Sequence, residues 1–296
     1  MDRSRLIECV PNFSEGRDPE IVAAIRRSIL ENSGAEIWDR SSDKDHNRSV
    51  FTLAGSPEDI EAAVMAFTAA AAALIDMRVH EGVHPCIGAT DVVPFVPLKN
   101  TTMAECVELS EKVGKRIASE LGLPVYLYAN SAKVPSHRRL ADIRRGGYAK
   151  LAEVIALDSD RAPDFGPKIL PPAGGVSVGA RDFLIAFNIF LNTSDTAPAK
   201  KIAKKIRESS GGFPGVQAIG LPVNGLAQVS MNFLNYRRSS LISVFNAVRT
   251  EAEHLGCALL YSELIGMLPK EALSGTSPEE LMLRDFDKTR ILETHF

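Results

Sequence analysis

The sequence predicts a mixed α/β (α+β) protein made of two ferredoxin-like βαββαβ subdomains with a ligand groove between them. Two observations indicate this fold. Segments with strand and helix periodicity follow one another in the order βαββαβ twice along the 296 residues. A stretch rich in glycine and proline, residues 164–180, separates the two runs. We therefore expect an N-terminal subdomain at residues 1–180 and a C-terminal subdomain at residues 181–296, with a ligand bound where they meet.

The first half begins with a short apolar strand and then alternates between helices and strands. Its predicted elements are strand 6–10, helix 20–32, strands 35–39 and 48–55, helix 56–76, strand 91–98, helix 103–122, strand 124–129 and short basic helices within 136–156. Ser56 and Pro57 mark the start of the second helix, because serine is a favoured N-cap and proline fits the first helical position. Residues 40–47 are predicted to form a loop between two strands.

The second half repeats the same order. Its predicted elements are strand 182–191, helix 197–210, strands 215–223 and 226–234, helix 239–256 and strand 258–268. Asn224 and Gly225 separate the two central strands, and this dipeptide is a strong signal for a two-residue hairpin turn. No sequence identity links the two halves, so only the order of elements relates them.

Composition excludes several classes of protein. Hydrophobic residues make up 45% of the chain and charged residues 24%, which is typical of a folded globular protein. The net charge of −3 argues against nucleic-acid binding, which needs a basic face. The most apolar helical stretch is shorter than the ~20 residues that a membrane span needs. Four dispersed cysteines without a CxxC pair favour a reduced, cytoplasmic protein. We therefore expect small-molecule substrates, and neither nucleic-acid nor membrane partners.

Polar residues crowd the loop before one of the buried strands. The stretch HEGVHPCIGATDVVPF, residues 80–95, places His84 between Gly82 and Gly88, and these glycines let the backbone bend closely around a ligand. A neutral imidazole can accept and return a proton near pH 7. Spacing alone slightly favours the alternative, a loop histidine with a satisfied hydrogen bond. A zinc pair with His80 is disfavoured because glycine and proline oppose a helix there, so no metal is expected.

Two further stretches are each open to two interpretations. The segment DRSSDKDHNRSV, residues 39–50, is either a solvated turn or a place where Asn47 and Arg48 bind a polar substrate. It lacks the glycine and the distal glutamate of a calcium loop. The segment at 164–180 is either a stiff linker or a wall for a flat ring system. Its spacing matches neither GxGxxG nor GxxxxGK, which argues against a nucleotide phosphate site.

Longer blocks of sequence resemble a known family. ECVPNFSEGR, DHNRSVFTLAG, HEGVHPCIGATDVVPFVP, PVYLYA, APDFGP, GARDFLIAFNI and GLAQVSMNFL together resemble glutamate formiminotransferase, the transferase part of formiminotransferase-cyclodeaminase. The resemblance covers essentially the whole chain. It implies transfer of a formimino group from N-formimino-L-glutamate to N5 of tetrahydrofolate in histidine degradation. It also implies tetrahydrofolate as co-substrate, and we expect a cytoplasmic homodimer.

The resemblance implies catalytic and folate-binding residues. His84 matches the family's acid–base, and Asp39 matches an aspartate at the end of the preceding strand. The folate-binding stretch falls on Gly166, Pro167, Lys168, Ile169, Leu170, Pro171, Pro172, Ala173 and Gly174. If this stretch binds the pterin, Gly174→Val is expected to weaken folate binding and to leave the fold intact.

Donor-binding residues follow from the resemblance and from chemistry. Asn47 and Arg48 match the family's asparagine–arginine pair. The glutamate part of the donor carries carboxylates, so Arg48 or Arg78 is expected to clamp them. The amidine part is cationic, so a carboxylate such as Asp39 or Asp91 is expected to stabilise it.

Two positions depart from the family's pattern. Cys86 stands where the family usually has an arginine, and Ser41 stands where a second acidic residue is expected. Two alternatives therefore remain beside glutamate formimidoyltransferase. One is a related folate-dependent transferase that uses N-formylglutamate or another donor. The other is a catalytically weak folate-binding homologue.

Overall fold

Alternating apolar residues build two separate β-sheets in the computed structural model, which describes residues 4–83 and 85–296. One sheet belongs to unit 1, Met1–Arg181, and the other to unit 2, Asp182–Phe296. Each unit has its own buried apolar core. No helix in the described ranges is long and apolar enough to cross a membrane.

Unit 1 contains a seven-stranded sheet. Its strands are β1 (Leu6–Cys9), β2 (Asn12–Phe13), β3 (Glu36–Asp43), β4 (Arg48–Gly55), β5 (Thr90–Lys99), β6 (Val125–Ala129) and β7 (Val176–Ala180). Strand β4 pairs antiparallel with β3, β1 and β2, and the last two also pair antiparallel with β5. Strands β5, β7 and β6 then run parallel to one another. The sheet is therefore mixed.

Three long helices pack on one face of this sheet. They are α1 (Pro19–Asn32), α2 (Pro57–Leu74) and α3 (Met103–Leu121), and the short helices α4 (Leu140–Ile143) and α5 (Gly147–Val154) follow along the chain. As the sequence predicts, Ser56 caps α2 by accepting a hydrogen bond from the Asp59 N–H, with Pro57 at the first position. Phe51 of β4 and Phe67 of α2 both pack edge to face against Phe13 of β2 in the core beneath these helices.

The opposite face of the sheet is covered at β6 by α4 and α5. A second apolar cluster joins Tyr126 and Tyr128 of β6 to Ile143 of α4 and Leu151 of α5. Val92 of β5 belongs to the same cluster. These two short helices thus bring the segment after β6 close to the strand that follows the polar loop.

Unit 2 holds a four-stranded antiparallel sheet in the order β11-β8-β10-β9. Its elements are β8 (Ile185–Leu191), α6 (Thr196–Ile206), β9 (Val216–Val223), β10 (Leu226–Phe233), α7 (Leu241–His254) and β11 (Leu259–Ile265). They follow the predicted order βαββαβ. Asn224 and Gly225 form the turn between β9 and β10 with φ values of 51° and 74°, which is the backbone that a two-residue type I′ hairpin requires.

The predicted mixed α/β class is confirmed, and three strands differ from the prediction. The two-residue strand β2 lies in a segment for which no strand is predicted. The glycine- and proline-rich segment contains the strand β7, which pairs in parallel with both β5 and β6. Strand β3 continues to Asp43, so Asp39 lies inside a strand and not at its end. The polar residues 40–43 remain in the strand because they continue the register with β4.

Candidate active site

Asn47 fastens the loop of residues 80–87 to the turn between β3 and β4. It is buried and holds a positive φ of 46°. Its side-chain oxygen accepts a hydrogen bond from the Gly16 N–H (3.0 Å), and its amide donates to the Glu81 carbonyl (3.0 Å). The amide also lies 3.3 Å from Nδ1 of His80. Burial lowers the pKa of His80, so its ring is neutral at pH 7 and offers an acceptor nitrogen.

The loop lies close against this turn at Gly82. A Cβ at this position would lie 2.4 Å from the His46 carbonyl oxygen, so only glycine fits without a shift of the backbone. The N–H of Val83 then donates to the Asp45 carbonyl (3.3 Å). His84, the predicted acid–base, follows directly and lies outside the described residues. The chain on its amino-terminal side is therefore held by the β3–β4 turn.

On the carboxyl-terminal side of the loop, Asp91 is a buried carboxylate with two partners. One oxygen accepts a hydrogen bond from the Ile87 N–H (3.0 Å), which fixes the end of the loop. The other oxygen forms an ion pair with Arg144, the residue that ends α4. Within the described residues, the buried Nε of Arg144 has no hydrogen-bond partner. Asp91 thus orients Arg144 through a charge-assisted bond and leaves part of its guanidinium unused.

Arg48, the first residue of β4, lies among the same charges. Burial lowers the pKa of its guanidinium, and the positive charge of Arg144 lowers it further, whereas Asp91 and Asp43 raise it. Within residues 4–83 and 85–296, its side chain makes no hydrogen bond or ion pair. The guanidinium groups of Arg48 and Arg144 lie near each other, and the Asp91 carboxylate is already paired with Arg144. The positive charge that remains favours the binding of an anionic ligand.

Cys86 lies beside these arginines as an uncharged thiol. Burial raises its pKa to about 11, and the charge of Asp91 adds to the rise. A side-chain hydrogen bond between Cys86 and Ser14 and the charges of Arg144 and Arg48 act in the opposite direction. The thiol is therefore protonated at pH 7 and is not an activated nucleophile.

The predicted folate-binding stretch, residues 166–174, runs beside the same loop. Gly174 pairs with Gly88 in an antiparallel bridge. Gly174 has a φ of +77°, and a Cβ there would lie 2.2 Å from the Ile87 carbonyl oxygen. The expectation that Gly174→Val leaves the fold intact is therefore wrong, because valine would displace the backbone of the loop. Residues 166–169 are exposed, but Gly166 is restricted in the same way, with a φ of +88° and the Leu123 carbonyl oxygen 2.4 Å from where a Cβ would lie.

Two other predicted site residues lie outside these loop contacts. Asp39 is half-buried on β3. It shares a sheet face with Arg48, because Asp43 pairs directly with Arg48 and side chains alternate along a strand. Arg78 is exposed and forms an ion pair with Asp76 (2.6 Å). The structure therefore brings Asn47, Arg48 and Asp91 to the loop, whereas Arg78 is paired with Asp76.

Sequence reasoning missed the contribution of Arg144. It belongs to the basic run DIRRGG, which reads like a solvated helix face. Its ion pair reaches Asp91 across 53 positions of the chain. Local spacing holds no signal for such a contact, because only the packing of α4 and α5 onto the sheet creates it.

Comparison with known proteins places this loop and its neighbours in a family. Residues 6–181 match the N-terminal subdomain of the formiminotransferase domain, and residues 186–281 match the formiminotransferase domain. The chain belongs to the formiminotransferase family. This confirms the resemblance seen in the sequence.

Individual relatives agree with the assignment to the formiminotransferases. A glutamate formimidoyltransferase from Streptococcus pyogenes serotype M1 is 43% identical over 99% of both chains. Another, from Thermoplasma acidophilum, is 44% identical over 97% of this chain and 96% of its own. A formimidoyltransferase-cyclodeaminase from Sus scrofa is 43% identical over 91% of this chain but 51% of its own length. This formiminotransferase thus matches the first two along almost their whole length and the third along about half.

Cys86 lies at the position where the sequence resemblance predicts an arginine. Arg48 and Arg144 both lie close enough to act electrostatically on the Cys86 thiol. Two neighbouring residues therefore carry positive charge beside the uncharged Cys86: Arg48 on β4 and Arg144 at the end of α4.

Proposed function

We propose that this chain is a glutamate formimidoyltransferase, which transfers a formimino group from N-formimino-L-glutamate to N5 of tetrahydrofolate in histidine degradation. The observation that carries the proposal is identity of 43% and 44%, over nearly the full chain, with two proteins of that name. Tetrahydrofolate is then a co-substrate that binds beside the loop of residues 80–87. The exposed residues 166–169 and the bridge at Gly174 support a role of that segment in folate binding.

The reaction exchanges one carbon–nitrogen bond for another. N5 of tetrahydrofolate attacks the amidine carbon, a new N5–carbon bond forms, and the bond from that carbon to the glutamate nitrogen breaks. One proton leaves N5 and one reaches the departing glutamate nitrogen. We assign both transfers to His84, because a single imidazole can accept the first proton and return it. The anchoring of the preceding residues by Asn47 supports this role, since a proton carrier must be held in a fixed place.

The donor carries opposite charges at its two ends. Its carboxylates suit Arg48 and Arg144, which lie close together and of which Arg48 makes no ion pair within the described residues. Its cationic amidine suits a carboxylate, and Asp39 shares a sheet face with Arg48. Asp91 acts on the donor indirectly in this proposal, because it holds Arg144 in place.

An assay with tetrahydrofolate and formiminoglutamate tests the proposal. The 5-formimino product is converted by acid to methenyl-tetrahydrofolate, which is followed by its absorbance. N-formylglutamate is assayed in parallel as the rival donor. Turnover with N-formylglutamate alone would replace the donor in the proposal, and folate binding without turnover from either donor would leave a folate-binding homologue.

We also propose that the protein is a cytoplasmic homodimer. All four cysteines are free, which supports a reducing compartment. Light scattering on the purified protein tests the dimer, and a monomeric mass would contradict it.

A further inference from the structure

The backbone around Arg144 is held by an arginine from a later segment of unit 1. The guanidinium of Arg161 donates hydrogen bonds to the backbone carbonyls of Asp142 (3.2 Å) and Ile143 (3.0 Å). It also donates to the carbonyl of Arg145 (3.1 Å). Carbonyls at the end of a helix lack partners within the helix, and an arginine side chain is a suitable donor for them. Arg161 therefore binds the chain directly before and directly after Arg144.

Arg161 is itself fastened to strand β6. The Tyr126 hydroxyl donates a hydrogen bond to the Arg161 carbonyl (3.0 Å). Three residues further along, the Asp164 carboxylate accepts a hydrogen bond from the Leu127 N–H (2.8 Å) and lies 2.9 Å from Nδ1 of the buried His137. Because Tyr126 and Leu127 belong to the sheet of unit 1, the backbone that carries Arg161 has a firm support.

The turn after Arg144 contains two glycines that give it conformational freedom. Gly146 and Gly147 have φ values of 81° and 65°, and glycine adopts many other backbone conformations as readily. The side chain of Arg144 is held by its ion pair with Asp91, and its buried Nε has no hydrogen-bond partner within the described residues. The contacts from Arg161 therefore restrict a segment that its own sequence leaves free.

We propose that Arg161 is a positioning residue, which holds Arg144 where its guanidinium binds a carboxylate of the donor, an inference that rests on the proposed function. Arg161 does not touch the donor, because its own guanidinium is engaged by the three backbone carbonyls. A guanidinium pairs well with a carboxylate only when its N–H groups face the oxygens. A small movement of the Arg144 backbone therefore weakens the binding of the donor.

A double-mutant cycle tests whether Arg161 acts through Arg144. Arg161→Met removes the three hydrogen bonds, and Arg144→Gln removes the charge but leaves a donor for Asp91. The readouts are KM for formiminoglutamate and the calorimetric affinity for L-glutamate, which carries the same carboxylates. We expect Arg161→Met to weaken both about tenfold, which corresponds to the loss of one charge-assisted hydrogen bond, and to leave kcat and folate affinity unchanged. Added to Arg144→Gln, it should cause no further loss.

Two more variants separate positioning from charge. Arg139→Met is the matched control, because Arg139 is exposed before α4 and pairs with the side chain of Asp142 (3.7 Å), so L-glutamate affinity should not change. Arg161→Lys keeps the charge, but a single ammonium group does not span three carbonyls, so it should recover only part of the affinity. Arg161→Lys also takes the place of Arg161→Met in the cycle if the latter does not fold. Wild-type affinity in Arg161→Lys would show that charge alone acts and would overturn the inference.

The outcomes also separate this inference from the proposed function. Formimino transfer by the wild type, with unchanged L-glutamate affinity in Arg161→Met or with losses that add in the double variant, would overturn only the inference. Non-additive losses of L-glutamate affinity, without formimino transfer by the wild type, would support the role of Arg161 and overturn the proposed function. A wild type that neither binds L-glutamate nor transfers the formimino group would overturn both.

Discussion

Arg48 and Arg78 are the two cations that sequence reasoning offers for the donor carboxylates, and their surroundings separate them. Arg78 is exposed and its charge is already paired with Asp76. Arg48 is largely buried, lies near Arg144 and makes no ion pair within the described residues. An unpaired cation in such a place gains most from an incoming carboxylate, so Arg48 is the better candidate.

The matched pair of variants Arg48→Met and Arg78→Met tests this choice. Arg48→Met keeps an unbranched apolar side chain and removes the guanidinium with its charge. The loss of a charge-assisted hydrogen bond is expected to raise KM for formiminoglutamate about 10–150-fold, with folate affinity unchanged. Arg78→Met should leave KM at the wild-type value. A rise in KM for Arg78→Met alone would show that Arg78 binds the donor carboxylates instead.

His84 is the residue on which the chemistry of the proposal depends. His84→Ala removes the proton carrier, and loss of general acid–base catalysis lowers rates by roughly 10²–10⁴-fold. We expect kcat to fall by that order, with folate affinity little changed. His80→Ala is the control. His80 contacts the Asn47 amide, and the proposal assigns no proton transfer to its neutral ring. Wild-type kcat in His84→Ala would reduce His84 to a structural loop residue.

Glu8 makes the stability of unit 1 depend on pH. It is 2% exposed on β1, and its Oε2 has no hydrogen-bond partner within the described residues. Burial raises its pKa from 4.5 to about 7, and the charge of Arg181 offsets only part of the rise. Below about pH 4.5 the carboxyl is protonated in both states. As pH rises towards 7, the unfolded chain loses its proton first, so stability is lost through this window.

The variant Glu8→Gln should remove this pH dependence. The difference between the two pKa values corresponds to about 3 kcal/mol, so the variant should be more stable than the wild type by up to that amount near pH 8. The gain should nearly disappear near pH 4, where the carboxyl is mostly protonated in both states. Urea unfolding at both pH values measures it. Glu58→Gln, at an exposed position of α2, is the control, and an equal gain there would show that burial of Glu8 is not the cause.

At the scale of elements, the polar loop depends on the β3–β4 turn. Asn47 accepts a hydrogen bond from Gly16 and donates one to Glu81, and it tolerates positive φ. Asn47→Gly allows the same backbone conformation and removes both side-chain hydrogen bonds. We expect faster hydrogen exchange in residues 80–90 and a lower kcat, because residues 80–83, which lead to His84, are then held less firmly.

Asn224→Gly is the matched control for Asn47→Gly. Asn224 also has a positive φ, 51°, but it lies in the hairpin turn of unit 2. Its replacement should leave exchange in residues 80–90 and kcat unchanged. If Asn47→Gly behaved in the same way, the loop would be held by its other backbone contacts.

The elements also show what local sequence can and cannot predict. Helix α2 could be predicted because its cap and its apolar spacing are local. Strand β7 could not, because its five residues lie among glycines and prolines and are fixed by parallel pairing with distant β5 and β6. In the site, Asn47 and Arg48 could be found from their place in a motif, whereas Arg144 depends on long-range packing.

At the scale of the whole molecule, the chain is divided into units that each have their own sheet and core. In unit 2, the rings of Phe187, Phe233 and Phe245 pack edge to face within one buried cluster. This core draws on β8, β10 and α7, which all belong to the same unit. A unit with its own core and its own complete sheet has what independent folding requires.

We therefore expect a fragment of residues 182–296 to fold without residues 1–181. Circular dichroism should show a mixed α/β spectrum and a cooperative thermal transition, because the core cluster of unit 2 lies wholly within the fragment. Phe245→Ala in the same fragment is the control, since Phe245 is fully buried and truncating it costs roughly 3–5 kcal/mol. That loss is a large part of the stability of a small domain, so the variant should lose its cooperative transition. A wild-type fragment that melts without cooperativity would show that the core of unit 2 cannot hold its sheet alone.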